Sequence, residues 1–222
     1  MDRHDHDALP TLDAEFWNDR YRSSHRIWSG NPNPQLVREI ADLPPGRALD
    51  VGCGEGADAI WLAGRGWYIV AVDISDVALE RAAQHAHATA DAASSRIEWL
   101  QADLVARPPE PQSFDLVSCQ FMQLPPEPRA QLFSSLVRAV RAGGTLLVVG
   151  HHPSDMGTGV RRPPMRELFY TADDVEGLLD DDWTVVVNDA RPRPATTPEG
   201  VETTVHDAVL RAKRESLSLP KR

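Results

Sequence analysis

Beyond residue 46, short apolar runs alternate with segments in which apolar residues recur every three or four positions. The runs have the length of β-strands, and several are apolar almost throughout, which is typical of strands buried on both faces. They predict five strands, at residues 47–51, 68–73, 97–101, 114–119 and 145–150. The segments between them predict helices at residues 56–66, from Ser75 or Asp76 onward, and at 129–141.

The pattern changes in the last third of the chain. Thr171 and Asp174 resemble a capping box, which predicts a short helix that continues to Leu179. Two further strands, at residues 183–188 and 204–211, follow without a helix between them, so we expect them to pair antiparallel. Alternating strands and helices otherwise imply a parallel sheet that helices cover on both faces. The expected fold class is therefore α/β, with a doubly wound, mostly parallel sheet of seven strands.

Two amphipathic helices are predicted before the first strand, at residues 13–23 and from Asn33-Pro34 onward. They would form an N-terminal helical cap. Residues 1–12 are polar, and we expect them to be a disordered tail. Proline and glycine are spread along the chain as turn residues and form no linker, so residues 13–222 are expected to be a single domain.

Glycine and acidic residues lie at the predicted carboxyl ends of neighbouring strands. The first strand carries Asp50 and leads into the turn Gly52-Cys53-Gly54-Glu55-Gly56, the second ends at Asp73, and Asp103 follows the third. In an open parallel sheet, ligands bind outside this edge. Gly52 and Gly54 have no side chains, so a bulky ligand can lie against the main chain of the turn.

The acidic residues suit a nucleoside. Asp73 can accept hydrogen bonds from both hydroxyls of a ribose, and Asp103 can accept one from an exocyclic amine such as that of adenine. Ile74 and Leu104, which follow them, can sandwich a purine ring. The fourth strand ends at Cys119 and Gln120 and would complete the site, so the sequence predicts a nucleoside-bearing cofactor.

The spacing of the glycines distinguishes two classes of cofactor. The dinucleotide fingerprint is G-x-G-x-x-G, whereas this chain has glycine at positions 52, 54 and 56. A pyrophosphate requires positive potential at the helix terminus, and Asp50 and Glu55 supply the opposite sign. A cofactor with an ammonium and a sulfonium tolerates that field. An NAD(P)-dependent oxidoreductase and a non-catalytic protein that binds the sulfonium cofactor are the alternatives.

The motifs D-V-G-C-G-E-G at residues 50–56, V-A-V-D at 70–73, Q-A-D-L at 101–104 and F-D-L-V at 114–117 resemble those of class I S-adenosylmethionine-dependent methyltransferases. The resemblance covers residues 15–215. It implies a Rossmann-like sheet with strand order 3-2-1-4-5-7-6, strand 7 antiparallel, and S-adenosyl-L-methionine as the methyl donor, with S-adenosyl-L-homocysteine as product.

The resemblance also assigns roles to the strand ends. It implies that Asp50, Gly52, Cys53 and Gly54 face the methionine end, that Asp73 with Ile74 holds the ribose side, and that Asp103 with Leu104 holds the adenine. Cys119 and Gln120 would complete the cofactor site. The amino-terminal segment, from Phe16-Trp17 to Asn33, resembles the branch with thiopurine and tellurite-resistance methyltransferases. In that branch the segment lies over the cofactor, which would place Tyr21 and Trp28 at the site.

Methyl transfer from a sulfonium needs a general base only if the acceptor must lose a proton early. His151, after the fifth strand, is the candidate catalytic base because of its position and ordinary pKa. The loop 152–169 is long enough to be a binding loop, and Met156, Met165 and Phe169 are candidates to line an acceptor pocket. Asp115 begins the fourth strand and is therefore expected at the opposite edge of the sheet.

Composition limits the partners. The chain has 33 acidic and 23 basic residues and a formal charge of −10, which disfavours nucleic acid. No apolar run reaches the roughly 20 residues that span a bilayer. Two cysteines fit a reducing compartment and offer too few ligands for a metal site. We expect a cytoplasmic enzyme, monomeric or homodimeric, that methylates a small molecule.

Overall fold

A seven-stranded sheet forms the centre of the structure, a computed structural model that describes residues 11–25, 27–89, 94–163 and 165–216. Its helices are α1 (Ala14–Arg22), α2 (Pro34–Glu39), α3 (Ala57–Gly64), α4 (Asp76–Thr89), α5 (Pro126–Ala139) and α6 (Ala172–Glu176). Its strands are β1 (Arg47–Val51), β2 (Tyr68–Asp73), β3 (Ile97–Gln101), β4 (Phe114–Gln120), β5 (Val140–His151), β6 (Trp183–Thr196) and β7 (Glu202–Arg214). Residues 1–10 of the expected disordered tail lie outside the described residues.

The strand order is β3-β2-β1-β4-β5-β7-β6, which confirms the order that the family resemblance implies. The first five strands of the chain pair in parallel, whereas β7 is antiparallel to both of its neighbours. The predicted bounds of β1, β2 and β3 are confirmed. Within the described residues, no helix is both long and apolar enough to cross a membrane.

Proline explains why α5 begins earlier than predicted. The helix starts at Pro126 rather than at residue 129, with Pro126 and Pro128 both in its first turn. A first-turn residue has no intrahelical partner for its N–H, so proline costs little there. The helix ends at Ala139, before the predicted end, because β5 already begins at Val140 and pairs with Phe114 ahead of an irregularity in the ladder.

The two carboxyl-terminal strands are much longer than predicted. β6 continues to Thr196 and β7 begins at Glu202, and the two pair along their whole length up to Thr196 opposite Glu202. Pro192 and Pro194, which lack an N–H, lie in the added part of β6. β6 is an edge strand, and an edge strand tolerates residues that lack an N–H. The hairpin therefore projects farther along the sheet than the sequence indicated.

The core consists of two apolar clusters, one on each face of the sheet. Alternate residues of β1 and β2 point to opposite faces, as strand geometry requires. One cluster packs the sheet against α5 and α6 through Leu132, Phe133, Leu136 and Val175. The other packs it against α2 and α3 through Leu36, Ile40, Ala59 and Leu62. Asp115 lies at the edge of the sheet remote from the β1 turn and accepts a hydrogen bond from the Arg47 N–H at 2.8 Å, as expected.

The amino-terminal segment is attached to the sheet by a buried ion pair. Arg81 on α4 lies 3.1 Å from Glu55 and also donates to the carbonyl oxygens of Tyr21 and Ser24, at 2.7 and 2.9 Å. The other Glu55 oxygen accepts from the backbone N–H of Trp28 at 3.2 Å. Hydrogen bonds that involve a charged group are worth about 1.5–3 kcal/mol each, so this group holds the segment over the edge of the sheet.

Gly56, which precedes α3, lies tightly against Trp99 of β3 and Ala82 of α4. Its φ is +83°, and a Cβ at this position would lie 2.7 Å from the Trp99 ring and 2.8 Å from the Ala82 Cβ. Only glycine combines this backbone conformation with this spacing. The prediction that Gly56 permits tight packing of helix against strand agrees with this geometry.

We expect Gly56→Ala to lower the free energy of unfolding by about 2–4 kcal/mol, because a strained backbone and an overpacked contact add. Gly64→Ala is the matched control, since a Cβ at Gly64 meets nothing within 4 Å. That control should gain about 0.5–1 kcal/mol, as helical alanine does over glycine. Urea unfolding measures both; equal effects of the two substitutions would contradict the packing argument.

Candidate active site

The carboxyl ends of β1, β2, β3 and β4 open into a cavity of about 550 Å³, within the usual range of small-molecule sites, roughly 300–1,000 Å³. The cavity brings together all predicted cofactor-binding residues except Asp50 and Cys119. Those that line it are Tyr21, Trp28, Gly52, Cys53, Gly54, Asp73, Ile74, Asp103, Leu104 and Gln120. Elements that are distant in the sequence thus share one concave surface.

The turn after β1 has a backbone that only glycine adopts readily. Gly52 and Gly54 have φ values of +69° and +53°, in the left-handed region. The N–H groups of Gly52 and Cys53 donate to the carbonyl oxygen of Val72 at 2.8 and 3.0 Å, which ties the turn to β2. The floor of the cavity is therefore main chain, held in place by the neighbouring strand.

Asp73 connects the second strand to that turn. One carboxylate oxygen accepts from the N–H of Gly54 at 2.8 Å, and the other accepts from the N–H of Ser75 at 2.9 Å. Burial raises the pKa of the Asp73 carboxyl, and the backbone hydrogen bonds oppose that shift. Each carboxylate oxygen has a second lone pair, so the group can still accept from a ligand.

Asp103 and its neighbours form the far side of the cavity. The Asp103 carboxylate accepts from the N–H of Val105 at 2.9 Å, so it caps the turn after β3 as well as lining the cavity. Ile74 and Leu104 supply apolar surface between the two acidic groups. The geometry therefore has the polar and apolar groups that the sequence assigned to a ribose and a purine.

An aromatic pair covers the glycine turn. The indole N–H of Trp28 donates to the hydroxyl of Tyr21 at 3.0 Å. A Cβ at Gly54 would lie 3.0 Å from that hydroxyl and 3.1 Å from the indole nitrogen. Tyr21 is almost fully buried, and burial raises the pKa of its phenol, so the hydroxyl stays neutral and accepts this bond.

Carboxyl groups concentrate at the β1 end of the cavity. Asp50 does not line it, but the carboxyl is buried and one of its oxygens has no hydrogen-bond partner among the described residues. Burial, and then the charges of Asp58 and Asp73, raise the pKa of Asp50. Burial also raises the pKa of Asp58, which lines the cavity, to about 6. This acidic field favours a cation and disfavours a pyrophosphate.

Comparison with known proteins adds the class of enzyme. Residues 48–144 match the family described as "Methyltransferase domain". Thiocyanate methyltransferase 1 of Brassica oleracea is 27% identical over 197 residues, which are 86% of this chain and 84% of that protein. The 2-heptyl-1-hydroxyquinolin-4(1H)-one methyltransferase of Mycobacteroides abscessus is 29% identical over 167 residues, covering 67% and 70%.

A solved structure agrees with these relatives. Magnesium protoporphyrin IX methyltransferase (ChlM) from Synechocystis PCC 6803, with bound SAH, has a TM-score of 0.62 at 20% identity and covers 91% of this chain and 98% of that one. At that identity the likeness concerns the fold. This chain is a class I, Rossmann-like S-adenosylmethionine-dependent methyltransferase. The family resemblance read from its motifs is confirmed.

The site of this methyltransferase fits S-adenosylmethionine, its cofactor. Gly52 and Gly54 line the cavity with main chain, and Asp73 and Asp103 present acceptors to the same cavity. The unpartnered oxygen of Asp50 and the carboxyl of Asp58 suit a ligand with an ammonium and a sulfonium. These observations favour the methyl donor over the dinucleotide that the alternative hypothesis required.

Two predicted residues of the methyltransferase site lie elsewhere. Cys119 is fully buried in the cluster on the α5 side of the sheet, because its side chain points into the core at the end of β4. The prediction that it lines the cofactor site therefore does not fit the structure. Asp50 stands behind the cavity wall and can act there only through its charge.

His151 does not line the cavity either. Its ring packs against those of Phe121 and Phe169, with centroids 4.6 and 6.1 Å away. Burial, followed by the charges of Arg162 and Arg193, lowers the pKa of His151 to about 4. An imidazole with that pKa is a weak base, and it does not line the cavity, so the hypothesis of a catalytic His151 does not fit the structure.

The acceptor pocket predicted in the loop 152–169 is also misplaced. Met165 and Phe169 are buried in the protein and do not line the cavity.

Sequence analysis did not identify three charged residues that line the cavity, Asp58, Arg193 and Asp207. Asp58 stands in the first turn of α3, directly after the glycine turn, and that position could have identified it as a candidate. Arg193 and Asp207 had no local signal, since only the extended β6–β7 hairpin brings them there.

The buried imidazole predicts a pH-dependent stability. His151 has a folded pKa of about 4 against an ordinary value of 6.5, so the unfolded chain binds more protons between these values. The wild type should therefore lose about 2 kcal/mol relative to His151→Phe as the pH falls through this window, and the difference should stay constant above it. Urea unfolding at a series of pH values measures it; a constant difference throughout would contradict the assignment.

Proposed function

We propose that this enzyme transfers the methyl group of S-adenosylmethionine to a small molecule that binds in the same cavity, beyond Gln120. One observation carries the proposal: the cavity that the glycine turn, Asp73 and Asp103 line is also lined by Phe121 after β4 and by Arg193 and Asp207 of the β6–β7 hairpin. The first group suits the donor. The second group lies beside it, and we assign it to the acceptor.

The donor half has a role for each residue. The main chain at Gly52 and Gly54 would lie against the methionine portion, and Asp50 and Asp58 would favour its positive charges. Asp73 would accept from the ribose hydroxyls. These assignments rest on the contacts within the cavity, since Asp73 is already oriented by its bonds to the N–H groups of Gly54 and Ser75.

Other residues of the cavity would bind the adenine and close the site above the glycine turn. Asp103 would accept from the adenine amine, with Ile74 and Leu104 on the faces of the ring. Tyr21 and Trp28 would close the cavity above the turn, because the Arg81–Glu55 pair anchors their segment. We expect this enclosure to exclude water from the donor and so to strengthen the electrostatic interactions there.

Between the two halves, Gln120 occupies a fixed position. Its side-chain oxygen accepts from the amide of Asn33 at 2.8 Å, and its amide donates to Ser118 at 2.8 Å. Asn33 in turn donates its backbone N–H to Asp58 at 2.6 Å. This chain of hydrogen bonds joins the cap to the strand ends, so Gln120 is held by contacts from both.

Bound S-adenosylmethionine supplies an electrophilic methyl group on a sulfonium, and the leaving group is a neutral thioether. The protein therefore need not stabilise a departing anion, and alignment of acceptor and donor can contribute about 7–11 kcal/mol at best. No imidazole lines the cavity among the described residues. We infer that the residues here bind, orient and exclude water, and that the acceptor arrives with an available lone pair.

The acceptor class is proposed from the cavity and from the relatives. The names of the two relatives described above refer to a small anion and to a hydroxyquinolinone, both of which are small molecules. A cavity of this size accommodates a molecule of that scale beside the donor. We propose further that the enzyme works in the cytoplasm, which its two unpaired cysteines suit. A monomer or homodimer without nucleic-acid partners remains the prediction from its acidic composition.

We expect Asp73→Ala to weaken binding of S-adenosylhomocysteine by about 1.5–3 kcal/mol, the scale for hydrogen bonds to a charged group. Calorimetric titration of the purified protein measures the affinity. Asp181→Ala is the control, because Asp181 is exposed and does not line the cavity. Equal affinity in both variants and the wild type would remove Asp73 from the donor site.

The same titration tests the function as a whole. The wild type should bind S-adenosylhomocysteine and give no heat with NADH, because the acidic field at the β1 end opposes a pyrophosphate. A screen of small acceptors with radiolabelled methyl donor should then yield product. Binding of NADH alone would overturn the proposed function, and cofactor binding without product from any acceptor would favour a non-catalytic protein.

A further inference from the structure

Arg193, on the β6–β7 hairpin, lines the same cavity as the glycine turn. We propose that the methyl acceptor carries a negative charge and that Arg193 binds it there. This inference rests on the proposed methyl transfer and adds the chemical class of the acceptor. Arg193 is the only positively charged side chain among the described residues that line the cavity, whereas Glu55, Asp58, Asp73, Asp103 and Asp207 are the acidic ones.

Within the described residues, Arg193 donates hydrogen bonds only through its Nε–H. Its Nε–H donates to both oxygens of Asp207, each at 3.0 Å. Its two terminal amino groups make no hydrogen bond within the described part of the chain, and the side chain is 36% exposed. A guanidinium presents five N–H donors in a planar fork, and the terminal pair matches a carboxylate or another anion in two-point contact. Arg193 can therefore bind an anion without giving up Asp207.

The carboxylate of Asp207, by contrast, already accepts hydrogen bonds from within the protein. It is 2% exposed and accepts from Arg193 and from the amide of Gln35 at 3.2 Å. A buried carboxylate is costly unless it is paired, and here the pairing orients Arg193. Gln35 belongs to α2, so the cap and the β6–β7 hairpin jointly set the position of the guanidinium.

The position of Arg193 separates it from the donor. Asp207 pairs with His151 at the end of β5, and three strand spacings lie between β7 and β1. At about 4.8 Å per spacing, Asp207 is roughly 14 Å along the sheet from the strand that leads into the glycine turn. The acidic groups that suit the cationic donor gather at that turn, whereas the cation stands at the other end.

The charges also suit the reaction. The lone pair of the acceptor forms the bond to the methyl carbon, and the electron pair of the carbon–sulfur bond remains on sulfur, which becomes a neutral thioether. An acceptor that is already anionic at the reacting atom loses no proton, which agrees with a cavity that His151 does not reach. If the charge is instead a carboxylate handle, Arg193 orients the acceptor. Both sources share an anionic oxygen or sulfur that the guanidinium binds.

Binding to the protein saturated with S-adenosylhomocysteine tests the proposal without turnover. Benzoate and benzamide have the same shape and differ in charge, so they probe a carboxylate handle. At mildly alkaline pH, 4-nitrophenolate and neutral 4-nitroanisole probe an ionised reacting atom. We expect the anion of at least one pair to bind about tenfold or more tightly than its neutral partner, the effect of one charge-assisted contact.

Substitutions test whether the preference for the anion depends on Arg193. Arg193→Gln should abolish it, and Arg193→Lys should retain part of it, since lysine keeps the charge and loses the fork. Arg161→Gln is the matched control, because Arg161 is exposed and does not line the cavity. All variants should bind S-adenosylhomocysteine as the wild type does.

Three results would overturn the proposal. One is equal affinity for anion and neutral partner in both pairs, and another is an anion preference that survives Arg193→Gln. The third is a loss of S-adenosylhomocysteine affinity in Arg193→Gln, which would assign the guanidinium to the carboxylate of the donor. Failure of the wild type to bind S-adenosylhomocysteine at all would instead contradict the proposed function, and the two failures are thus distinguishable.

Discussion

The hydrogen bond between the carboxylate of Asp73 and the N–H of Gly54 is the contact on which the site depends. It joins the end of β2 to the turn after β1, and its geometry requires a left-handed backbone at Gly52 and Gly54. The second oxygen of Asp73 accepts from Ser75, whose hydroxyl caps the start of α4. One buried acid thus organises a turn, a strand end and a helix, while it keeps lone pairs for a ligand.

The amino-terminal segment completes the site because a buried charge pair holds it in place. Arg81 binds Glu55 and the carbonyl oxygens of the segment, and Glu55 binds its backbone N–H groups. Glu55 is buried and Arg81 is partly buried, so removing Arg81 would leave the buried carboxylate without its ion pair, which is destabilising. The roof formed by Tyr21 and Trp28 is therefore part of the fold, and residues from both ends of the chain enclose one cavity.

The charged groups are distributed unevenly along that cavity. Carboxyl groups stand around the glycine turn, and the pKa values of Asp50, Asp58 and Asp73 are all raised, mainly by burial. Raised values show that the acids are desolvated, so a ligand that brings positive charge recovers part of that cost. The guanidinium of Arg193 stands at the opposite end. This polarity, more than the identity of any one residue, matches a reaction between a cationic donor and an electron-rich acceptor.

The sequence by itself determined the fold and the strand ends that line the cavity at the glycine turn. Strands β1, β2 and β3 are short segments rich in apolar residues, and the residues at their ends follow directly in the chain, so local patterns were sufficient to predict them. Whether a side chain at a strand end faces the ligand or the core depends on strand pleat and twist, and this is why Cys119 was misassigned.

Only the tertiary structure decided which residues line the cavity on the side of the β6–β7 hairpin. Arg193 and Asp207 meet across a hairpin whose prolines argue locally for a loop, and pairing with β7 overrides that preference because β6 is an edge strand. His151 ends β5, yet it packs against the rings of Phe121 and Phe169 and does not line the cavity. Contacts between residues far apart in the chain leave no periodic or spacing signal, and they set which side chains line this side of the cavity.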